Sequence, residues 1–72
     1  MSVWPSCKAS RVLAALVRLG WQPVAGRGGG SHRVLRKPGR PDVVWAFHDG
    51  DEIGPRMLAR IAKHTDLTPS DL

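Results

Sequence analysis

A chain of 72 residues with a net charge of +5 has room for one small domain with a thin core, so we expect a single domain over residues 1–72 and no cavity for a large cofactor. One cysteine, Cys7, excludes an intramolecular disulfide and fits a reducing compartment, which favours the cytoplasm. No apolar stretch approaches the roughly 20 residues of a membrane span, and the first residues lack the basic and apolar segments of a signal peptide.

The charge is unevenly distributed along the chain. Residues 1–41 contain eight lysines and arginines and no acid, whereas residues 42–72 contain six acids and three bases. A basic region on a small domain attracts polyanions, which favours a nucleic acid or an acidic protein as partner over a charge that serves only solubility.

The first predicted element is a helix from Ser6 to Leu19, since apolar residues recur there mostly at spacings of three and four. Ser6 is the expected N-cap, and Gly20 stands where a left-handed C-cap belongs. A short strand from Trp21 to Arg27 follows. Pro23 cannot donate a ladder hydrogen bond, so this strand is expected at a sheet edge, with Trp21 in the core.

Two further strands are predicted after a glycine-rich turn. In the second strand, His32, Val34 and Arg36 should share one face, and Ser31, Arg33, Leu35 and Lys37 the other. In the third strand, Val43, Trp45 and Phe47 should face one way, with the two aromatic rings packed together. The predicted ranges are a turn at 26–30, a strand at 31–37, a hairpin turn at 38–41, a strand at 42–48 and a loop at 49–52.

A second helix is predicted from Pro55 to Thr65, because proline suits the first helical turn. Its expected buried stripe is Met57, Leu58, Ile61 and Ala62. In the tail, Thr68 is expected to cap a last turn, and Leu67 and Leu72 to dock on the core. The order α-β-β-β-α predicts an α+β fold, with a three-stranded antiparallel sheet and both helices on one of its faces.

Residues 28–37, GGGSHRVLRK, combine the residue types that metal-free RNA cleavage requires. Glycine permits close approach of the backbone to a ligand, histidine transfers protons near neutral pH, and arginine and lysine bind phosphate. His32 is therefore a candidate general base or acid for attack of the ribose 2′-hydroxyl on the adjacent phosphate. The residue pattern alone favours this role and a purely structural role of His32 about equally.

The other histidines carry weaker signals. His48 is expected to be structural or a minor RNA contact, and His64 to be solvated near a helix end. A zinc site from Cys7 and the three histidines lacks close ligand spacing, so no metal is expected.

The element order, together with Gly20-Trp21, Gly30-Ser31-His32, Phe47-His48 and the closing helix at 57–62, resembles the HicA family of mRNA interferase toxins. The similarity extends from about Lys8 to Leu72. It implies a fold like that of the double-stranded-RNA-binding domain, metal-independent cleavage of mRNA, and inhibition by a HicB-like antitoxin.

With this resemblance, His32 is favoured as the catalytic residue, and no cofactor is expected. The residues expected to bind RNA are Lys8, Arg27, Gly30, Ser31, Arg33, Arg36 and Lys37. Two alternatives remain open, a non-catalytic RNA-binding module with the same fold and a protein-interaction domain whose basic face binds an acidic partner.

Overall fold

Residues 3–25 and 33–72 are described in the structure, a computed structural model, and they form an α+β fold. The helices and strands of this described part, in chain order, are β1 (Cys7–Lys8), α1 (Ala9–Arg18), β2 (Gln22–Ala25), β3 (Arg33–Arg36), β4 (Val43–Trp45), β5 (Glu52–Ile53), α2 (Pro55–Thr65) and a 3₁₀ turn (Pro69–Asp71).

The central sheet has the strand order β2-β3-β4 and is antiparallel throughout. As predicted, the strand with Pro23 lies at an edge. The register places Val24 opposite Val34, and Val34 opposite Val44. These three valines therefore form one row across a single face of the sheet.

The two faces of the sheet differ in burial, and the residues divide between them as the alternation predicts. Leu35 and Trp45 are buried on one face, whereas Val44 on the other face is 67% exposed. The buried residues of both helices belong to the same core cluster as Leu35 and Trp45. Both helices therefore cover the face with Leu35 and Trp45, and the face with the valine row is open.

Helix α1 begins later than predicted. It starts at Ala9, and the N-cap position is taken by Lys8, not Ser6. The amides of Ala9 and Ser10 donate instead to the carbonyls of Asp51 (2.8 Å) and Asp49 (3.2 Å). A loop from the second half of the chain thus satisfies helix amides that a serine side chain would otherwise bind.

The chain before α1 forms a small second ribbon that the sequence did not predict. Cys7 pairs with Ile53 and Lys8 pairs with Glu52, antiparallel. The predicted loop at 49–52 is therefore wrong at Glu52, which is in β5. Cys7 and Ile53 are buried, so the ribbon contributes side chains to the core.

The third predicted strand is shorter in the structure, since β4 ends at Trp45. Three residues later, the chain makes a tight turn at His48. The amide of His48 donates to the Asp51 carboxylate (2.9 Å), and the Asp51 amide donates back to the His48 carbonyl (3.0 Å). The predicted aromatic contact is present, with the Trp45 and Phe47 ring centroids 4.9 Å apart.

Helix α2 has the predicted bounds but a different buried stripe. Leu58 and Ile61 are buried as expected, whereas Met57 is 38% exposed and Thr65 is buried in its place. Thr65 tolerates burial because its hydroxyl donates to the Ile61 carbonyl (2.8 Å) and accepts from the Leu67 amide (3.3 Å).

The tail folds as predicted. Thr68 and Asp71 form a capping box around the 3₁₀ turn, in which the Thr68 amide donates to the Asp71 carboxylate at 2.8 Å. Leu67 is buried, and Leu72 packs against the core.

Candidate functional site

The centre of the predicted site lies outside the described residues. This applies to His32 and to three of the predicted RNA contacts, Arg27, Gly30 and Ser31. The roles assigned to them from the sequence therefore remain predictions. The described residues next to them in the chain are those of β3, which begins at Arg33.

Arg33 lies at the start of β3 and is exposed. It lines a shallow depression against α1, together with Ser10, Arg18 and Asp49. Among the described residues, no carboxylate forms an ion pair with Arg33. Its guanidinium is therefore available to an anion, one residue along the chain from His32.

Arg36 lies on the open face, since it alternates with the buried Leu35. Its guanidinium binds both oxygens of Asp42, at 3.3 Å from Nε to Oδ1 and 3.2 Å from Nη2 to Oδ2. Both side chains are largely exposed, and such a pair contributes at most about 1 kcal/mol. Asp42 neutralises the charge of Arg36, so a phosphate has to compete with Asp42 for it.

Lys8 and Lys37 are held in different surroundings. The Lys8 ammonium donates to the Gly50 carbonyl (3.3 Å) and lies 3.6 Å from the Glu52 carboxylate. The stem of Lys37 lies over Gly20, where a Cβ atom added to the glycine would be 3.5 Å from Cε of the lysine. The apolar part of Lys37 is thus used in packing, which is common for long basic side chains.

The structure brings some of these predicted contacts together and separates others. Lys8 binds Gly50, and Arg33 shares its depression with Asp49, so both lie beside the loop at 48–51. Arg36 lies on the opposite face of the sheet from Arg33, because an odd number of positions separates them along the strand. We therefore expect a single phosphate to contact residues of one of these surfaces and not of both.

His48 and His64 are both exposed, and His48 lies in the turn that follows β4. Within residues 3–25 and 33–72 there is no cluster of three or more His, Cys, Asp or Glu side chains that could hold a metal ion.

The acidic partners of the basic residues were not predicted from the sequence. Three acids from the second half of the chain pair with bases from the first half, as Lys8–Glu52, Arg36–Asp42 and Arg40–Asp66. One of these pairs had a signal in the sequence, because a hairpin turn at 38–41 places residue 36 across from residue 42. In the fold, these acids neutralise part of the positive charge that residues 1–41 carry.

No helix in the described part of the chain has the length and apolar character needed to cross a membrane.

Comparison with known proteins identifies one family. A family model described as the HicA toxin of bacterial toxin–antitoxin systems matches residues 9–67. No match was found among curated proteins or among solved structures. The matched range covers most of the chain, from the first residue of α1 to the buried Leu67.

Proposed function

The chain belongs to the HicA toxin family of bacterial toxin–antitoxin systems, and from this premise we propose that it is a metal-independent endoribonuclease that cleaves mRNA. His32 is the general acid–base group in this proposal. The observation that carries it is the family match, since residues 9–67 include the GGGSHRVLRK stretch.

The proposed reaction needs a proton acceptor, a nucleophile and a stabilised phosphorane. A neutral imidazole at His32 takes the proton of the ribose 2′-hydroxyl, whose oxygen attacks the adjacent phosphorus and displaces the 5′-oxygen. The leaving 5′-oxygen takes up a proton from water, and the His32 imidazolium returns its proton to solvent. The products are a 2′,3′-cyclic phosphate and a 5′-hydroxyl end. Acid–base assistance of this kind contributes roughly 10²–10⁴-fold to the rate.

Arg33 is the best-supported described residue for stabilising charge on the phosphate. It follows His32 in the chain, it is exposed, and it forms no ion pair with a described carboxylate. Arg36 is less suited, because its guanidinium is already bound to Asp42. The backbone amides of the glycine run at 28–30 remain candidates for the same task.

An antitoxin partner and a cytoplasmic location complete the proposal. The family is one of toxin–antitoxin systems, which implies a cognate antitoxin, and we assign this role to a HicB-like protein. Cleavage of mRNA requires access to the cytoplasm, and the single cysteine suits that compartment.

The test is incubation of the purified protein with a long RNA in the presence of EDTA. We expect the wild type to cleave, His32→Ala to lose cleavage by at least 100-fold, and both to bind RNA with similar affinity. His48→Ala is the matched control, since this histidine is exposed and its backbone, not its ring, makes the turn. Its cleavage should stay close to that of the wild type.

The other outcomes discriminate between functions. Loss of cleavage in EDTA would contradict the metal-free mechanism. RNA binding without cleavage by any of the three proteins would identify a non-catalytic RNA-binding module. Equal cleavage by wild type and His32→Ala would move the catalytic role to another residue.

A further inference from the structure

The outer edge of β4 is unpaired in the described part of the chain. β4 bonds to β3 on one side, and no other described strand lies along its second side. Such an edge presents backbone N–H and C=O groups that can pair with another extended chain. Proteins commonly use such edges to bind an extended peptide as an additional strand.

An apolar groove runs beside this edge. Two adjoining depressions share Val43, Val44 and His64, and they lie between β4 and the neighbouring surface of α2. The second depression also contains Phe47, Met57 and Ile61. Met57, whose burial was wrongly predicted, is exposed at this groove. The groove therefore offers apolar contacts next to unpaired backbone groups.

The border of the groove is basic. Arg60 and Lys63 line it from α2, and neither forms an ion pair with a described carboxylate. Arg40 and Asp42 lie at its other end, but each is already paired, with Asp66 and Arg36 respectively. Among the described residues, the charge left unpaired at this groove is thus positive.

We propose that this groove binds an extended segment of a partner protein, which adds to β4 as a strand and carries alternating apolar and acidic side chains. The apolar side chains would lie beside Val44 on the open face, and the acidic ones, on the side of α2, would face Arg60 and Lys63. The strand period of two separates these two sets of side chains. This inference goes beyond RNA cleavage and does not depend on it.

Two other occupants fit the groove less well. Pairing of β4 with β4 of a second copy would bring Arg60 and Lys63 of both copies together, which repels. Single-stranded RNA binds through basic and aromatic side chains, but the aromatic ring here, Phe47, is half-buried against Trp45. An apolar and basic groove along a strand edge favours a peptide.

The experiment selects a displayed library of random ten-residue peptides on the full-length protein and measures the selected peptides in solution. We expect enrichment of peptides with alternating apolar and acidic residues. In amide NMR spectra, a selected synthetic peptide should shift residues 43–47 and the adjacent part of α2. Affinity should fall at least tenfold in Arg60→Glu and in Lys63→Glu.

Arg11→Glu is the matched control, because it makes the same charge change on an exposed helical arginine away from the groove. It should change the affinity by less than twofold. Circular dichroism checks that all three variants keep the wild-type fold. Failure to enrich such peptides, equal effects of Arg11→Glu and Arg60→Glu, or shifts centred on another surface would overturn the proposal. Displacement of the peptide by a ten-nucleotide RNA that shifts the same amides would assign the groove to RNA.

Discussion

Gly20 joins the end of α1 to the buried Trp21, and its backbone has a φ of +105°. Side-chain-bearing residues rarely adopt this conformation, and holding one there costs about 1–3 kcal/mol. The space beside Gly20 is adequate, since an added Cβ atom would meet Lys37 only at 3.5 Å. The conformation of the backbone, and not a steric clash, therefore requires glycine at this position.

We predict that Gly20→Ala lowers the free energy of unfolding by about 1–3 kcal/mol, measured by urea denaturation. Gly50→Ala is the control, because Gly50 has no positive φ and no atom within 4 Å of an added Cβ. The control should change the free energy by less than about 0.5 kcal/mol. Equal losses in the two variants would contradict the role of the backbone conformation.

For Trp21, the sequence predicts the burial of the side chain but not its hydrogen-bond partner. Its burial is predicted from its place after the helix and is confirmed at 1% exposure. A buried indole also needs an acceptor for its N–H group. Here Nε1 donates to the Thr65 carbonyl at 3.3 Å. This partner lies at the far end of α2, and no local pattern in the sequence identifies it.

At the scale of elements, the ribbon of β1 and β5 carries two kinds of interaction between the same four residues. Lys8 and Glu52 form an exposed ion pair, whereas Cys7 and Ile53 are buried in the core. Exposed pairs contribute little to stability, and buried apolar side chains contribute much more. The burial of Cys7 and Ile53 therefore contributes most of the stability of the ribbon.

We predict that Ile53→Ala lowers the free energy of unfolding by about 2–4 kcal/mol, because it leaves a cavity beside the core. Glu52→Ala, one residue earlier in the same strand, should lower it by no more than about 1 kcal/mol. Thermal unfolding of the two variants gives the comparison. A larger loss in Glu52→Ala would show that the ion pair holds the ribbon.

Sequence patterns predict the longer elements better than the short ones. Helix α2 has a proline in its first turn and an apolar stripe, so its bounds were predicted correctly. The two-residue strands β1 and β5 are too short to show any periodicity, and their pairing joins distant parts of the chain. The start of α1 was predicted wrongly for the same reason, since distant carbonyls cap it.

The candidate site, like the fold, is predicted only in part from the sequence. Residue types and spacing single out His32 and the bases around it, and the choice of His32 stays a prediction because this residue lies outside the described residues. The sequence does not reveal that Asp42 binds Arg36 while Arg33 stays without an ion pair among the described residues. Such a distinction depends on strand register and on acids from the other half of the chain.

At the scale of the whole molecule, the fold brings basic and acidic residues from different parts of the chain into contact. The first half of the chain is basic and the second half is mostly acidic, but three ion pairs join the two halves. Binding of a polyanion then depends on the bases that remain unpaired, and each contact with a phosphate adds to the salt dependence of the affinity.

We predict that Asp42→Asn strengthens RNA binding several-fold at low salt and makes its salt dependence steeper by about one phosphate contact. The reason is that Arg36 loses the carboxylate that now neutralises it. Binding is measured by fluorescence anisotropy on the His32→Ala background, so that RNA stays intact. Asp66→Asn is the control for a change of one charge, since Asp66 pairs with Arg40 and not with a predicted RNA contact. Equal gains in both variants would mean that only the net charge matters.

The capping of α1 by the carbonyls of Asp49 and Asp51 also bears on synthesis of the protein. On the ribosome, the N-terminal helix emerges well before the loop that completes its first turn. The ribbon partner of Cys7 and Lys8 emerges after that loop, as part of β5. The nascent chain therefore has to be extended past residue 53 before the start of its first helix has all its native hydrogen bonds, so this end of α1 is completed later than its place in the chain indicates.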